Sequence, residues 1–192
     1  VAAYLADKED VQVIMTRSDD TFLSLEERTT FANQNNADYF VSLHRNTGEG
    51  NGVETWIRSD ADDKTQALAK NIMDNLDAAG ISRNRGVKKG TQKSESKDYY
   101  VNLHTNMPAC IVELGFMNSP TDNQLFDANI DSYAKAIGDA VLKTYESYGK
   151  DGADAKESVE DVPGTEEQTS TETGTGTTGQ VLQNTPIENV SS

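Results

Sequence analysis

The chain has 192 residues, 35% of them hydrophobic, with a formal net charge of −15. A balance this acidic, with no basic stripe to offset it, excludes a nucleic-acid binder, because phosphates would repel it. The single cysteine excludes an intrachain disulfide, and no run is long and apolar enough to span a membrane.

Val1, Ala2, Leu5 and Ala6 read as the last turns of a helix. The chain opens inside this apolar pattern and without Met, so the true N-terminus is expected upstream. Val11–Met15 is short and β-branched, a predicted strand. Ser24-Leu25-Glu26-Glu27 is a capping box: the Ser24 hydroxyl can accept from the backbone N–H of Glu27, and Glu27 can reach back to Ser24. It opens a helix to about Asn35. Tyr39–Leu43 and Val53–Ile57 are predicted strands, the second introduced by Gly52.

Leu68, Ile72, Leu76 and Ala79 recur at helical spacing, and Gly80 stops that helix. Residues 81–98 read as a polar surface loop, broken at most by a short strand at Gly86-Val87. Its basic residues Arg83, Arg85, Lys88, Lys89 and Lys93 read as a solvated face. Tyr99–Leu103 is a further candidate strand. Ala109–Leu114 is a buried strand entered through Pro108, and Cys110 within it reads as a small buried hydrophobe. Ala134, Ile137, Ala140, Val141 and Tyr145 line a final helix. Strands alternating with helices give an α/β fold: a twisted, mostly parallel sheet flanked by helices.

All seven Tyr, all five Phe and the single Trp lie before residue 150, so residues 1–149 can bury a core. Residues 150–192 are Thr/Gly/Ser-rich and hold nine acidic residues after Lys150 against two bases. That composition does not repay the entropy of ordering, so a disordered acidic tail or linker is expected there.

In open α/β sheets ligands sit at the carboxyl ends of strands. Two such ends here carry reactive groups, Ser42-Leu43-His44-Arg45-Asn46 and Val112-Glu113-Leu114-Gly115-Phe116. Burying an unpaired carboxylate is costly or raises its pKa, so Glu113 in an apolar strand calls for a partner or an open face. A metal with bound water beside it would explain both groups. Read alone, a His such as His44 is more often a hydrogen-bonded structural residue than a ligand, and Glu113 more often a residue facing solvent than a functional one.

The wording around these residues is more specific. Met15-Thr16-Arg17-Ser18-Asp19-Asp20, Ser24-Leu25-Glu26-Glu27-Arg28, Ala37 through Asn46, Asn51-Gly52-Val53-Glu54-Thr55, and Met107 through Pro120 follow in order. Together they resemble the zinc-dependent N-acetylmuramoyl-L-alanine amidases (amidase type 3) over roughly residues 1–148. Several separated motifs in the right order outweigh any single one.

The resemblance implies one catalytic Zn²⁺, peptidoglycan as partner, and cleavage of the amide between N-acetylmuramic acid and L-alanine. It implies that His44 stands where the family's second zinc-binding His belongs, and Glu113 where its catalytic Glu belongs. The family's first His and its Glu ligand precede the residue equivalent to Val1, so one of three protein ligands is expected within this chain. The family's first strand and most of its first helix precede it too, which would leave a bare strand edge inside the sheet, and an unstable or inactive fragment.

Ser42 and Asn46 are weaker candidates, as orienting groups or as turn-stabilising ones. Arg45 is a weaker candidate for a substrate carboxylate, or an ordinary surface residue. Arg17 and Arg28 read as structural ion-pair formers, and His104 as a rim or packing residue. The role of Glu54 is not evident from spacing. The expected location is outside the cytoplasmic membrane, in the cell wall or periplasm, with the tail as a spacer. The alternatives are a non-catalytic wall-binding or regulatory module derived from an amidase, and a zinc exopeptidase of another family.

Overall fold

The computed structural model describes residues 1–149 and the strand 179–183. In chain order these form α1 (Ala2–Ala6), β1 (Val11–Met15), α2 (Leu25–Gln34), β2 (Tyr39–Asn46), β3 (Val53–Ile57), α3 (Asp63–Ala78), β4 (Asn84–Lys89), α4 (Tyr100–His104), β5 (Ala109–Phe116), α5 (Pro120–Tyr148) and β6 (Gly179–Gln183). The strands make one sheet in the order β1-β6-β2-β5-β3-β4. All pairings are parallel except β3 with β5. The predicted α/β class therefore holds, with a mixed, mostly parallel sheet.

Successive strand residues point to opposite faces, and the two faces are covered differently. Tyr39, Val41, Val53, Ile57, Cys110, Val112 and Leu114 enter the larger core with Leu68, Ile72 and Leu76 of α3 and Ile137, Ala140 and Val141 of α5. Cys110 is fully buried there, and desolvation pushes its thiol up to about 12. Phe40, Trp56, Ala109 and Ile111 face the other way, packing with Ala32 of α2 and Val101 of α4. The α2 capping box forms as read: Glu27 N–H donates to Ser24 Oγ at 3.2 Å, and Ser24 N–H donates to Glu27 Oε2 at 2.7 Å.

Three expectations are corrected. Tyr99–Leu103, β-prone in composition, is α4: Asn102 Nδ2 donates to the Trp56 carbonyl at 3.0 Å and Thr105 Oγ1 to that of Val101 at 2.8 Å. Tertiary contacts override propensity in a segment this short. Within 81–98 the short strand expected at Gly86-Val87 is present but longer, running from Asn84 to Lys89 as the edge strand β4. The bare edge expected inside the sheet is also not observed. Gly179–Gln183, expected in a tail without structure, lies between β1 and β2, pairing with Val11–Met15 over its whole length and with Tyr39 and Phe40. The remainder of the expected tail, residues 150–178 and 184–192, lies outside the described residues.

One carboxylate ties the site end of the sheet together. Asp122, buried in the first turn of α5, accepts hydrogen bonds from the backbone N–H of Phe116 (2.8 Å) and of Gly52 (3.0 Å) and from the Ser82 hydroxyl. It thus joins the end of β5 to the start of β3. Gly115 lets it approach: φ is +88°, and a Cβ there would meet Asp122 Cβ at 2.8 Å.

Asp122→Ala is expected to strand those backbone donors and to cost roughly 2–4 kcal/mol in urea unfolding. Because β1 has β6 as its strand neighbour among the described residues, deleting 150–192 is expected to speed amide exchange in Val11–Met15, leaving β5 protected. Unchanged β1 protection would contradict the placement of β6.

Candidate active site

Register brings the chemistry together. His44 of β2 lies opposite Glu113 of β5, and Glu113 lies opposite Glu54 of β3. Paired positions share a face, so an imidazole and two carboxylates stand side by side on the face covered by α2 and α4. His44 and Glu113 sit near the carboxyl ends of their parallel strands. β3 runs antiparallel to β5, so it delivers Glu54 to the same end from its own beginning. The β2–β5 register then slips, from His44↔Glu113 to Asn46↔Phe116, a bulge of the kind that re-aims side chains beside functional sites.

The His44 ring is held by Ser42, two residues back on the same face, with Oγ 2.7 Å from Nε2. Burial and then the nearby Arg28 charge lower the imidazole to about 4, so it is neutral at pH 7 and keeps a lone pair. Glu113 shifts the other way, to about 7, through burial and then the negative charge of Glu54. Its Oε2 is buried without a hydrogen-bond partner among the described residues.

Glu54 is the opposite case. It is only 2% exposed, yet both oxygens are engaged. Oε1 accepts from Asn46 Nδ2 at 3.0 Å and Trp56 Nε1 at 3.1 Å, and Oε2 accepts from Arg85 Nε at 2.7 Å. Gln92 Nε2 donates to Asn46 Oδ1 at 3.2 Å, and Tyr99 packs edge-on against Trp56 with ring centroids 5.7 Å apart. The loop between β4 and α4 is thereby fastened to the site.

Of the residues singled out in the sequence, Ser42, His44, Asn46 and Glu113 lie together. Arg45 alternates to the other face, where Nη2 donates to Asn123 Oδ1 at 2.6 Å and the guanidinium lies over Phe126. Arg28 is buried, donating from Nε to the Leu23 carbonyl at 2.9 Å, and Arg17 forms a 4.0 Å ion pair with Asp20. His104 is exposed and stacks on Tyr100 with ring centroids 4.0 Å apart. Glu54, Arg85, Trp56 and Gln92 join the site although spacing did not indicate them. The one available signal for Glu54 was a carboxylate inside the short apolar strand Val53–Ile57.

The donor chemistry fits part of a metal centre. A neutral imidazole and an unpartnered carboxylate oxygen stand in adjacent register. Among the described residues, however, no three His, Cys, Asp or Glu side chains converge on a common point. A closed three-ligand set is therefore not present in these residues.

The family described as N-acetylmuramoyl-L-alanine amidase matches residues 1–143. An uncharacterized protein of Bacillus subtilis, YqiI, is 34% identical over 154 residues, covering 77% of this chain and 70% of its own length. The probable cell wall amidase LytH of Staphylococcus epidermidis is 28% identical over 148 residues, covering 75% of this chain; the chain spans only 45% of that relative. The crystal structure of an N-acetylmuramoyl-L-alanine amidase from Clostridium difficile superposes with a TM-score of 0.70 at 32% identity, covering 77% of this chain and 79% of that one. A match over residues 1–143, in a chain whose imidazole and carboxylate meet at the carboxyl ends of β2 and β5, makes this chain a member of the N-acetylmuramoyl-L-alanine amidase family.

Proposed function

We propose that residues 1–149 are the catalytic part of a peptidoglycan hydrolase that cuts the amide between N-acetylmuramic acid and L-alanine, with residues 150–192 as an acidic extension. The observation that carries this reading is the unpartnered, buried Oε2 of Glu113 in register with the neutral imidazole of His44. Family membership supports the substrate class. The substrate lies outside the cytoplasmic membrane, and the protein acts there. Among the described residues no helix is long and apolar enough to cross a membrane.

His44 is the zinc donor within this chain. The Ser42 hydroxyl orients the ring, and where Nε2–H donates to Ser42 Oγ the Nδ1 atom keeps its lone pair for the metal. Zinc, when bound, supplies a Lewis acid that makes water acidic near neutral pH and polarises the scissile carbonyl.

Glu113 handles the proton. Its Oε2 accepts one from the attacking water as the water oxygen bonds to the lactyl carbonyl carbon. As the C–N bond breaks, the same oxygen returns that proton to the alanine nitrogen, leaving a lactyl carboxylate and a free amine. A carboxyl group poised near 7 suits both halves of this exchange. Asn46 takes no proton; it braces Glu54 and the Gln92 loop around the site.

In the full-length, zinc-loaded protein, Glu113→Gln is expected to lower muropeptide turnover by about 10²–10⁴-fold with bound zinc unchanged. His44→Ala is expected to lose zinc as well as turnover, read by metal analysis after dialysis. Retained turnover in Glu113→Gln would refute the proton-transfer role. Wild type that binds wall fragments without releasing intact stem peptide would favour the non-catalytic module instead.

A further inference from the structure

Arg85 is held in an unusual way. The β3–β4 register skips from Val53↔Asn84 to Thr55↔Val87, so Arg85 and Gly86 both stand opposite Glu54. This bulge turns Arg85 onto the site face, completing a row across four strands: His44, Glu113, Glu54, Arg85.

The Arg85 side chain makes one hydrogen bond among the described residues, from Nε to Glu54 Oε2 at 2.7 Å. Its guanidinium lies 5.1 Å from the Phe116 ring centroid, and the side chain is 29% exposed. The inner edge is therefore clamped by a buried carboxylate and one flat side is covered by an aromatic ring. The two terminal nitrogens have no hydrogen-bond partner among the described residues. Such a group is already ordered, and it presents the N–H fork that matches a carboxylate.

The surroundings add positive potential. Lys88 lies opposite Trp56 on the same face, half-buried and without an ion pair among the described residues. Arg83 and Lys89 are exposed nearby, and Glu95 is the one acid between residues 83 and 97. In a chain of net charge −15, residues 83–97 thus carry a local excess of positive charge.

Distance indicates which anion. Neighbouring strands lie about 4.8 Å apart, so β4 is roughly 10 Å from the strand carrying Glu113. Extended peptide advances about 3.4 Å per residue, which places the Arg85 fork two or three residues along from the scissile bond. We infer that Arg85 is a specificity-determining residue that binds a free carboxylate on the second or third residue of the stem peptide. This rests on the peptidoglycan reading above. Were Arg85 only a counter-ion for Glu54, its loss would affect charged and uncharged substrates alike.

The test uses the zinc-loaded full-length protein carrying Glu113→Gln, which slows turnover enough for binding to be read. The probes are N-acetylmuramoyl-L-alanyl-D-glutamyl-L-lysine and the same compound with every carboxylate converted to carboxamide, titrated calorimetrically. The free-acid probe is expected to bind roughly tenfold tighter or more than the amide. Adding Arg85→Lys, which keeps the charge beside Glu54 but removes the fork, is expected to bring the ratio close to one. Each ratio is taken within one protein, so partial unfolding cancels. An unchanged ratio in Arg85→Lys, or no preference before that change, would overturn the role of Arg85 alone. Binding of neither probe would overturn the peptidoglycan reading, and the role of Arg85 with it.

Discussion

Two carboxylates, Glu54 buried and Glu113 half-buried, face each other across β3 and β5, and the site follows from how that conflict is resolved. Glu54 and Glu113 occupy directly opposed positions, where like charges are unfavourable. Glu54 is buried but satisfied by an arginine, an indole N–H and an amide. Glu113 receives no such set. Burial raises its pKa first, and the fixed charge next to it adds to the rise. One carboxylate is thus part of the framework and the other is left able to exchange a proton. Removing a partner of Glu54 would leave a buried charge uncompensated, a larger disturbance than the loss of an exposed ion pair.

The rest of the fold serves to keep this row at one end of the sheet. Parallel pairing brings the ends of β2 and β5 together, and the antiparallel turn of β3 adds Glu54 from the opposite direction. The bulge near Gly115 and the Asp122 carboxylate then hold the ends of β5 and β3 at a fixed spacing. Gln92 and Tyr99 carry the same bracing outward, so the loop after β4 is a wall of the site. Arg45, on the reverse face, binds α5 to the back of β2.

Much of this was legible in the sequence, and the reasons are physical. Short β-branched runs marked β1, β3 and β5, and the Ser24–Glu27 capping box marked the start of α2 within a residue. His44 and Glu113 stood out because reactive groups at strand ends are local features. Glu54 and Arg85 did not, since they are 31 residues apart and their meeting depends on strand order and on a bulge that spacing does not encode. α4 was misread because five residues of aromatic and β-branched character fit a strand until Asn102 finds the Trp56 carbonyl. β6 was unreadable for a similar reason: its polar, Gly-rich context gives no periodic signal, and its place is set by the gap between β1 and β2.

In the proposed function His44 grips a metal while Glu113 stands beside it uncoordinated. Diffraction from crystals of the full-length protein grown with zinc, collected at the zinc absorption edge, addresses this directly. The result expected is an anomalous peak bonded to the His44 imidazole, with the Glu113 carboxylate near it but outside its coordination. A peak bonded to Glu113, or zinc held away from His44, would contradict the account.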